Sequence, residues 1–224
     1  MIVDEVRRLL PTAGVDADSV LWAPVSSEPP QAPSHRWVVW PTADDEIVLG
    51  GSDHGRFAAY ARFGDPTLVA EILARWTAPQ LPPAPRDAVT LHAAALSVAD
   101  ILLGPDAPTV LEPGAVLPGG VVPAGAPLDH VGNASGHVLH LYDTSFSARS
   151  LPPTDANEDR MGFVLNSPLP EACRVSLVEP WFGQPGGGVA IVLDRVIAYY
   201  VDQGVLAPFS VTVDEVLLSP DVRP

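Results

Sequence analysis

Two hydrophobic periods alternate along the first third of the chain. Ile2, Val3, Val6, Leu9 and Leu10 recur at helical spacing, with Asp4, Glu5, Arg7 and Arg8 on the opposite face. That pattern predicts an amphipathic helix ending near Pro11. Ser19 to Pro24 then reads as a strand, Glu28 to Pro33 as a loop, and Arg36 to Trp40 as a second strand rich in β-formers. Asp44-Asp45 makes a turn, Glu46 to Leu49 pairs back, Gly50-Gly51-Ser52-Asp53 turns again, and Arg56 to Phe63 is a further strand. Asp65 is placed to cap a helix from Pro66 to about Trp76: its carboxylate accepts from free amides, and Pro suits the first helical position. Helix, three or four antiparallel strands and helix make a compact α+β domain over residues 1–78.

Residues 79–87 are proline-rich and read as an extended, semi-rigid linker. The second domain, residues 88–224, opens with a largely apolar docking helix, Val89 to Leu103, which Gly104-Pro105 stops. From Leu111 the texture changes, and Pro-Gly steps punctuate short apolar pieces. Strands are expected over 138–142, 162–165, 174–178 and 189–193, a helix over 194–203 with Gly204 at its C-terminus, and closing strands over 209–213 and 216–218. The fold class is α+β: a small antiparallel α+β domain followed by a domain of short twisted strands with a few helices.

Composition narrows the function. The 224 residues include 26 prolines and 18 glycines, in keeping with short strands and turns. A net charge of −15 argues against nucleic acid and anionic membrane as partners, because both demand clustered Lys and Arg. One cysteine, Cys173, permits no internal disulfide and reads as a small buried hydrophobe. The N-terminal residues lack the pattern of a signal peptide, and no apolar run approaches a membrane span. The expectation is a cytoplasmic protein, or one exported by a route that needs no signal peptide.

The stretch richest in candidate chemistry is Glu179-Pro180-Trp181-Phe182-Gly183-Gln184-Pro185-Gly186-Gly187-Gly188, which leads into the buried strand 189–193. Gln184 is the one side chain at its tip able both to donate and to accept. By itself the stretch reads as a tight hairpin turn. It is no phosphate loop, since the Lys-Ser/Thr pair is missing, and Gly119 to Gly125 is no dinucleotide fingerprint, since no helix follows. The histidines His35, His54, His92, His130, His137 and His140 lack the spacing of a metal site, and none is expected. His137 and His140 point to opposite faces of a strand. Asp143, Ser145 and a histidine have no nucleophile elbow around them.

The second half resembles the tuberculosis necrotizing toxin (TNT) family of NAD glycohydrolases. The resemblance rests on Asp129-His130-Val131-Gly132, Gly136-His137-Val138-Leu139, Asp143 to Pro153 with its Arg149-Ser150-Leu151-Pro152-Pro153, Arg160-Met161-Gly162-Phe163, and Pro180 to Gly188, in family order. It covers roughly Leu111 to Pro208. It implies NAD or NADP as substrate rather than cofactor, and nicotinamide and ADP-ribose as products. It also implies an inhibitor or immunity protein as a further partner. Gln184 and Arg149 map to the catalytic positions: the amide orients ribose hydroxyls or the attacking water, and the guanidinium pairs with the pyrophosphate. Phe146, Phe182, His130, His137 and Met161 map to the nucleotide-lining positions. Three of these depart from the family pattern. His130 and His137 stand where it has arginine, and Met161 where it has a strand histidine. Each lost charged hydrogen bond is worth about 1.5–3 kcal/mol of binding. The pattern therefore carries two readings: an NAD(P) glycohydrolase-like enzyme, and a catalytically silent module of the same fold that binds a nucleotide or a protein.

Overall fold

The structure, a computed structural model, describes residues 2–31, 33, 36–53, 56–78, 81–82, 89–105, 107 and 111–209. Most of the linker expected over 79–87, His35, His54, and the closing strands expected over 209–213 (beyond Phe209) and 216–218 lie outside the described residues. The chain forms two units. The first comprises Met1–Gln80, Phe146–Pro153 and Glu179–Gly186, and the second comprises Leu81–Ser145, Thr154–Val178 and Gly187–Pro224.

In the first unit, α1 (Ile2–Leu9) packs on α2 (Pro66–Thr77), and both lie over a four-stranded sheet of β1 (Leu21–Trp22), β2 (Val38–Pro41), β3 (Ile47–Asp53) and β4 (Arg56–Phe63) in that order. Asp65 caps α2 as its sequence position demands, its carboxylate accepting from the Thr67 amide at 2.8 Å. Strand periodicity sorts the sheet side chains to two faces. Val39, Ile47 and Leu49 join Val6, Leu10, Trp37, Val69 and Leu73 in the main core, whereas Val38, Trp40 and Val48 form a small cluster with Ala23 on the other side.

Three sequence expectations need correction here. The strand over 19–24 shrinks to Leu21–Trp22, because Asp16 caps a 3-10 turn over Ala17–Ser19 that uses up its first residue. β1 runs parallel to β2, unlike every other pair in this sheet, and the chain from Ala23 to Trp37 is long enough to make the return. Gly50-Gly51 is not a turn. Both glycines lie inside β3, with a register shift between Leu49 and Gly50. A Cβ on Gly50 would stand 2.2 Å from the Ala58 carbonyl oxygen and 2.5 Å from the Phe57 ring, so close approach, not chain reversal, is what requires glycine.

In the second unit, α3 (Val89–Leu103) packs against a seven-stranded antiparallel sheet whose order is β11-β8-β6-β7-β10-β9-β5. Its strands are β5 (Val116–Pro118), β6 (Pro127–Val131), β7 (Val138–Leu141), β8 (Arg160–Leu165), β9 (Arg174–Leu177), β10 (Val189–Val192) and β11 (Leu206–Pro208). Between β7 and β8 the single-turn helix α4 (Phe146–Arg149) belongs to the first unit. Leu128, Leu139, Phe163, Leu165, Val175, Ile191 and Leu206 fill the core, with Ile197 and Tyr200 of α5 (Ile197–Asp202). The helix expected from Asp194 begins only at Ile197, because the amides of Leu193, Ile197 and Ala198 bond to the carbonyls of His137, Gly136 and Ala134 instead. Gly204 ends it with φ +70°, as a helix C-terminus favours. Helices and two largely antiparallel sheets make the chain α+β.

Candidate functional site

The Gln184 turn is built from residues 181–184. The Gln184 amide donates to the Trp181 carbonyl at 2.8 Å, and the two central residues, Phe182 and Gly183, have φ of +48° and +68°. Positive φ at both central positions is the signature of a type I′ turn, where Asn-Gly is the favoured pair. Gly183 meets that demand without strain. Phe182 does not: a non-glycine residue held in this region costs on the order of 1–3 kcal/mol. Packing offsets that cost. The Phe182 ring stacks on Trp181 at 4.5 Å and lies 5.4 Å from the ring of Tyr60.

The turn is tied to the segment that follows α4. The Trp181 amide donates to Ser150 Oγ at 3.3 Å, Gln184 Nε2 donates to the Leu151 carbonyl at 2.6 Å, and the Gly186 amide donates to the Ser147 carbonyl at 3.2 Å. Ser150 is itself held at φ +48°. Phe146, Arg149, Ser150 and Gln184 are all buried. Gln184 Oε1 is buried with no hydrogen-bond partner among the described residues, and leaving such an acceptor unmet costs about 1–3 kcal/mol.

In the second unit the polar focus is a buried ion pair. Asp129 on β6 is fully buried, and Arg160 on the adjacent β8 reaches it with Nε at 2.8 Å and Nη2 at 2.5 Å. Arg160 Nη2 also meets Asp143 Oδ1 at 3.2 Å, and its guanidinium lies 4.7 Å from the Tyr142 ring centre. The Asp143 amide donates to Asp129 Oδ2 at 3.0 Å from a residue with φ +65°, and His92 Nδ1 lies 3.3 Å from the Asp143 carboxylate. A second cluster joins Tyr200, Cys173 and Asp194. The Tyr200 hydroxyl donates to the Asp194 carboxylate and lies 3.1 Å from Cys173 Sγ. Burial first, and then these hydrogen bonds, push the Tyr200 phenol well above its ordinary range, and the bond from Tyr200 holds the Asp194 carboxyl below its own.

The candidate residues read from the sequence divide between the units. Phe146, Arg149, Phe182 and Gln184 are in the first, and the segments carrying them are hydrogen-bonded together. His130, His137 and Met161 are in the second. His130 Nδ1 donates to the Val138 carbonyl at 2.8 Å, bracing the β6–β7 hairpin, and its ring fills the space over Gly132 and Gly136. Met161 is the register partner of His130 across β6 and β8, and His137 is exposed. His140 is buried on β7. Among the described residues, no group of three or more His, Cys, Asp or Glu is arranged to hold a metal ion. No helix among them is long and apolar enough to cross a membrane.

The Asp129–Arg160–Asp143 network escaped the sequence reading. Its signal is a charged residue inside the apolar run Pro127 to Val131, whose pattern does not mark it as the strand it forms.

Residues 121–209 match the family model described as Tuberculosis necrotizing toxin. This segment is similar to that family. The matched segment includes the Gln184 turn and α4 of the first unit, and β6 to β11 of the second. Among solved structures, the chain is similar to the one described as the atomic structure of tuberculosis necrotizing toxin (TNT) complexed with its immunity factor IFT. Identity is 25%, the TM-score is 0.38, and the match covers 46% of this chain and 59% of that one. The chain therefore spans less than two thirds of that structure's length. No curated protein matches the chain.

Proposed function

We propose that the TNT-like segment binds an NAD-type dinucleotide and cleaves the bond between nicotinamide and ribose, giving nicotinamide and ADP-ribose. The observation that carries this reading is the Gln184 amide: fixed through Nε2 on the Leu151 carbonyl, with a buried Oε1 that still needs a donor. A ribose hydroxyl or the attacking water supplies one. Nicotinamide leaves from a cationic form as a neutral group, so no acid is needed to protonate it. The enzyme's task is to hold the ribose, stabilise an oxocarbenium-like centre and admit water. In this reading Gln184 orients the hydroxyl or the water, Arg149 meets the pyrophosphate charge, and Phe146 and Phe182 line the nucleotide. Unchecked cleavage would drain the NAD of a producing cell, so the reading also gives the chain an inhibitor or immunity-type protein as partner.

A second reading, a silent module that binds a nucleotide or a protein, has an observation of its own. His130, at a position where the family pattern has arginine, spends Nδ1 on the Val138 carbonyl. A neutral imidazole so engaged cannot replace a bidentate cation on a pyrophosphate. One experiment separates the two: purified chain incubated with NAD, with released nicotinamide measured by chromatography. Release that disappears in Gln184→Ala and Arg149→Ala supports hydrolysis. No release, with calorimetric heat on titration of NAD or ADP-ribose, supports the silent nucleotide module, and no heat with either supports protein binding.

A further inference from the structure

The Gln184 turn does not hold its shape alone. Its central residues rest on two rings of the first unit: Gly183 on Trp37 and Phe182 on Tyr60. A Cβ on Gly183 would stand 2.6 Å from both Cδ1 and Nε1 of Trp37, so the turn backbone lies flat against that indole. Trp37 is itself fixed. It is 2% exposed, its Nε1 donates to the Trp76 carbonyl at 3.0 Å, and its ring lies 4.8 Å from Trp76 and 5.6 Å, edge-on, from Tyr60. Tyr60 in turn meets the Phe182 ring at 5.4 Å. Phe182 is packed against the same core as Val39, Ile47 and Leu49.

We propose that Trp37, Tyr60 and Trp76 are positioning residues for Gln184, which makes residues 1–78 an integral part of the site and not an independent appendage. The reason lies in the turn's strain. A phenylalanine at a positive-φ position of a turn persists only where the surroundings over-determine it. Here the surroundings are the rings of Tyr60, against Phe182, and Trp37, against Gly183, with Trp76 packed on both. Remove one edge of the seat and Phe182 can relax toward ordinary φ. The Gln184 amide then loses its register with the Trp181 carbonyl, and the carboxamide its fixed direction from Leu151. The consequence for catalysis rests on the hydrolase reading above, but the consequence for the turn does not.

The test uses the full chain with Tyr60→Leu, which keeps an apolar side chain and removes the ring, and with Tyr60→Phe, which restores the ring without the hydroxyl. Amide hydrogen exchange of Gln184 and Gly186 is read against that of β2 and β3, followed by kcat and KM for NAD. The expected result for Tyr60→Leu is exchange at Gln184 and Gly186 faster by about tenfold with β2 and β3 unchanged, since local opening is decoupled from global unfolding. A matching fall in kcat with little change in KM is expected, and Tyr60→Phe should restore both. Should Tyr60→Leu also loosen β2 and β3, Gly183→Ala decides the matter: it presses a Cβ against Trp37 from the turn side and changes no residue of the sheet. Unaltered exchange at Gln184 and Gly186 in both Tyr60→Leu and Gly183→Ala overturns the proposal. A wild-type chain that releases no nicotinamide overturns the hydrolase reading alone, because the exchange measurement still decides whether the seat holds the turn.

Discussion

Substituting Asp129 by asparagine removes one charge from the second unit while preserving shape. The carboxylate is fully buried and the Arg160 side chain is 2% exposed, so the guanidinium would keep only Asp143, whose side chain is 42% exposed, as an ionised partner. Breaking a buried pair by removing one member costs about 3–5 kcal/mol, because the remaining charge stays desolvated. Two features place Asp129→Asn at the low end. The asparagine oxygen can still accept from the Asp143 amide, now bonded to Asp129 at 3.0 Å, and Asp143 still meets Arg160 at 3.2 Å. A loss of about 3 kcal/mol in a domain of this size lowers the melting temperature by about 6–12 °C. The assay can separate the units, because a chain with two compact units can unfold in two steps. All five tryptophans (Trp22, Trp37, Trp40, Trp76 and Trp181) lie in the first unit. Far-UV circular dichroism reports both units and tryptophan fluorescence reports the first. The dichroism transition should shift by the amount given. The double variant Asp129→Leu with Arg160→Met, which leaves no charge stranded, should recover most of the loss. A shift below about 2 °C for Asp129→Asn, on the same scale, would refute the reasoning, because the pair would then not depend on its charge.

Two further outcomes follow from the same geometry. Gly50→Ala should destabilise the first unit by about 1–3 kcal/mol, the range of overpacking, because the new methyl meets the Ala58 carbonyl and the Phe57 ring; a urea titration followed by tryptophan fluorescence measures it, and a neutral result would contradict the close approach. Tyr200 keeps its proton in the folded state to higher pH than in the unfolded chain, so the stability it lends is complete below about pH 10 and is lost as pH rises beyond that. Tyr200→Phe should flatten that alkaline decline in thermal melts, and an unchanged slope would speak against the Tyr200–Cys173–Asp194 contact.

What the sequence disclosed was local. The α1 stripe, the Asp65 cap and the limits of β4 follow from periodicity and capping chemistry within a few residues, and they recur in the structure. Gly50-Gly51 misled because glycine serves two ends. It permits a turn, and it also admits a neighbouring ring, and only the position of Phe57 across the sheet distinguishes them. β6 was hidden because Asp129 and His130 interrupt an otherwise apolar run, and the partners that satisfy them, Arg160 and the Val138 carbonyl, come from β8 and β7. The same division holds at the candidate site. The order Trp-Phe-Gly-Gln announced a turn, and it is one. That Trp37 and Tyr60 support it could not be read locally, because more than a hundred residues separate them from Phe182.

The central claim is that Gln184, fixed on Leu151 with a free acceptor on its other atom, serves cleavage of an NAD-type substrate. Its most direct test is the rate of nicotinamide release from NAD by the intact chain beside Gln184→Ala. The account predicts measurable release by the wild type and a loss of about 100-fold or more in the variant, the scale of removing one positioned polar group from a transition state. Equal rates in the two proteins, or no release by the wild type at concentrations where calorimetry shows NAD bound, would contradict it.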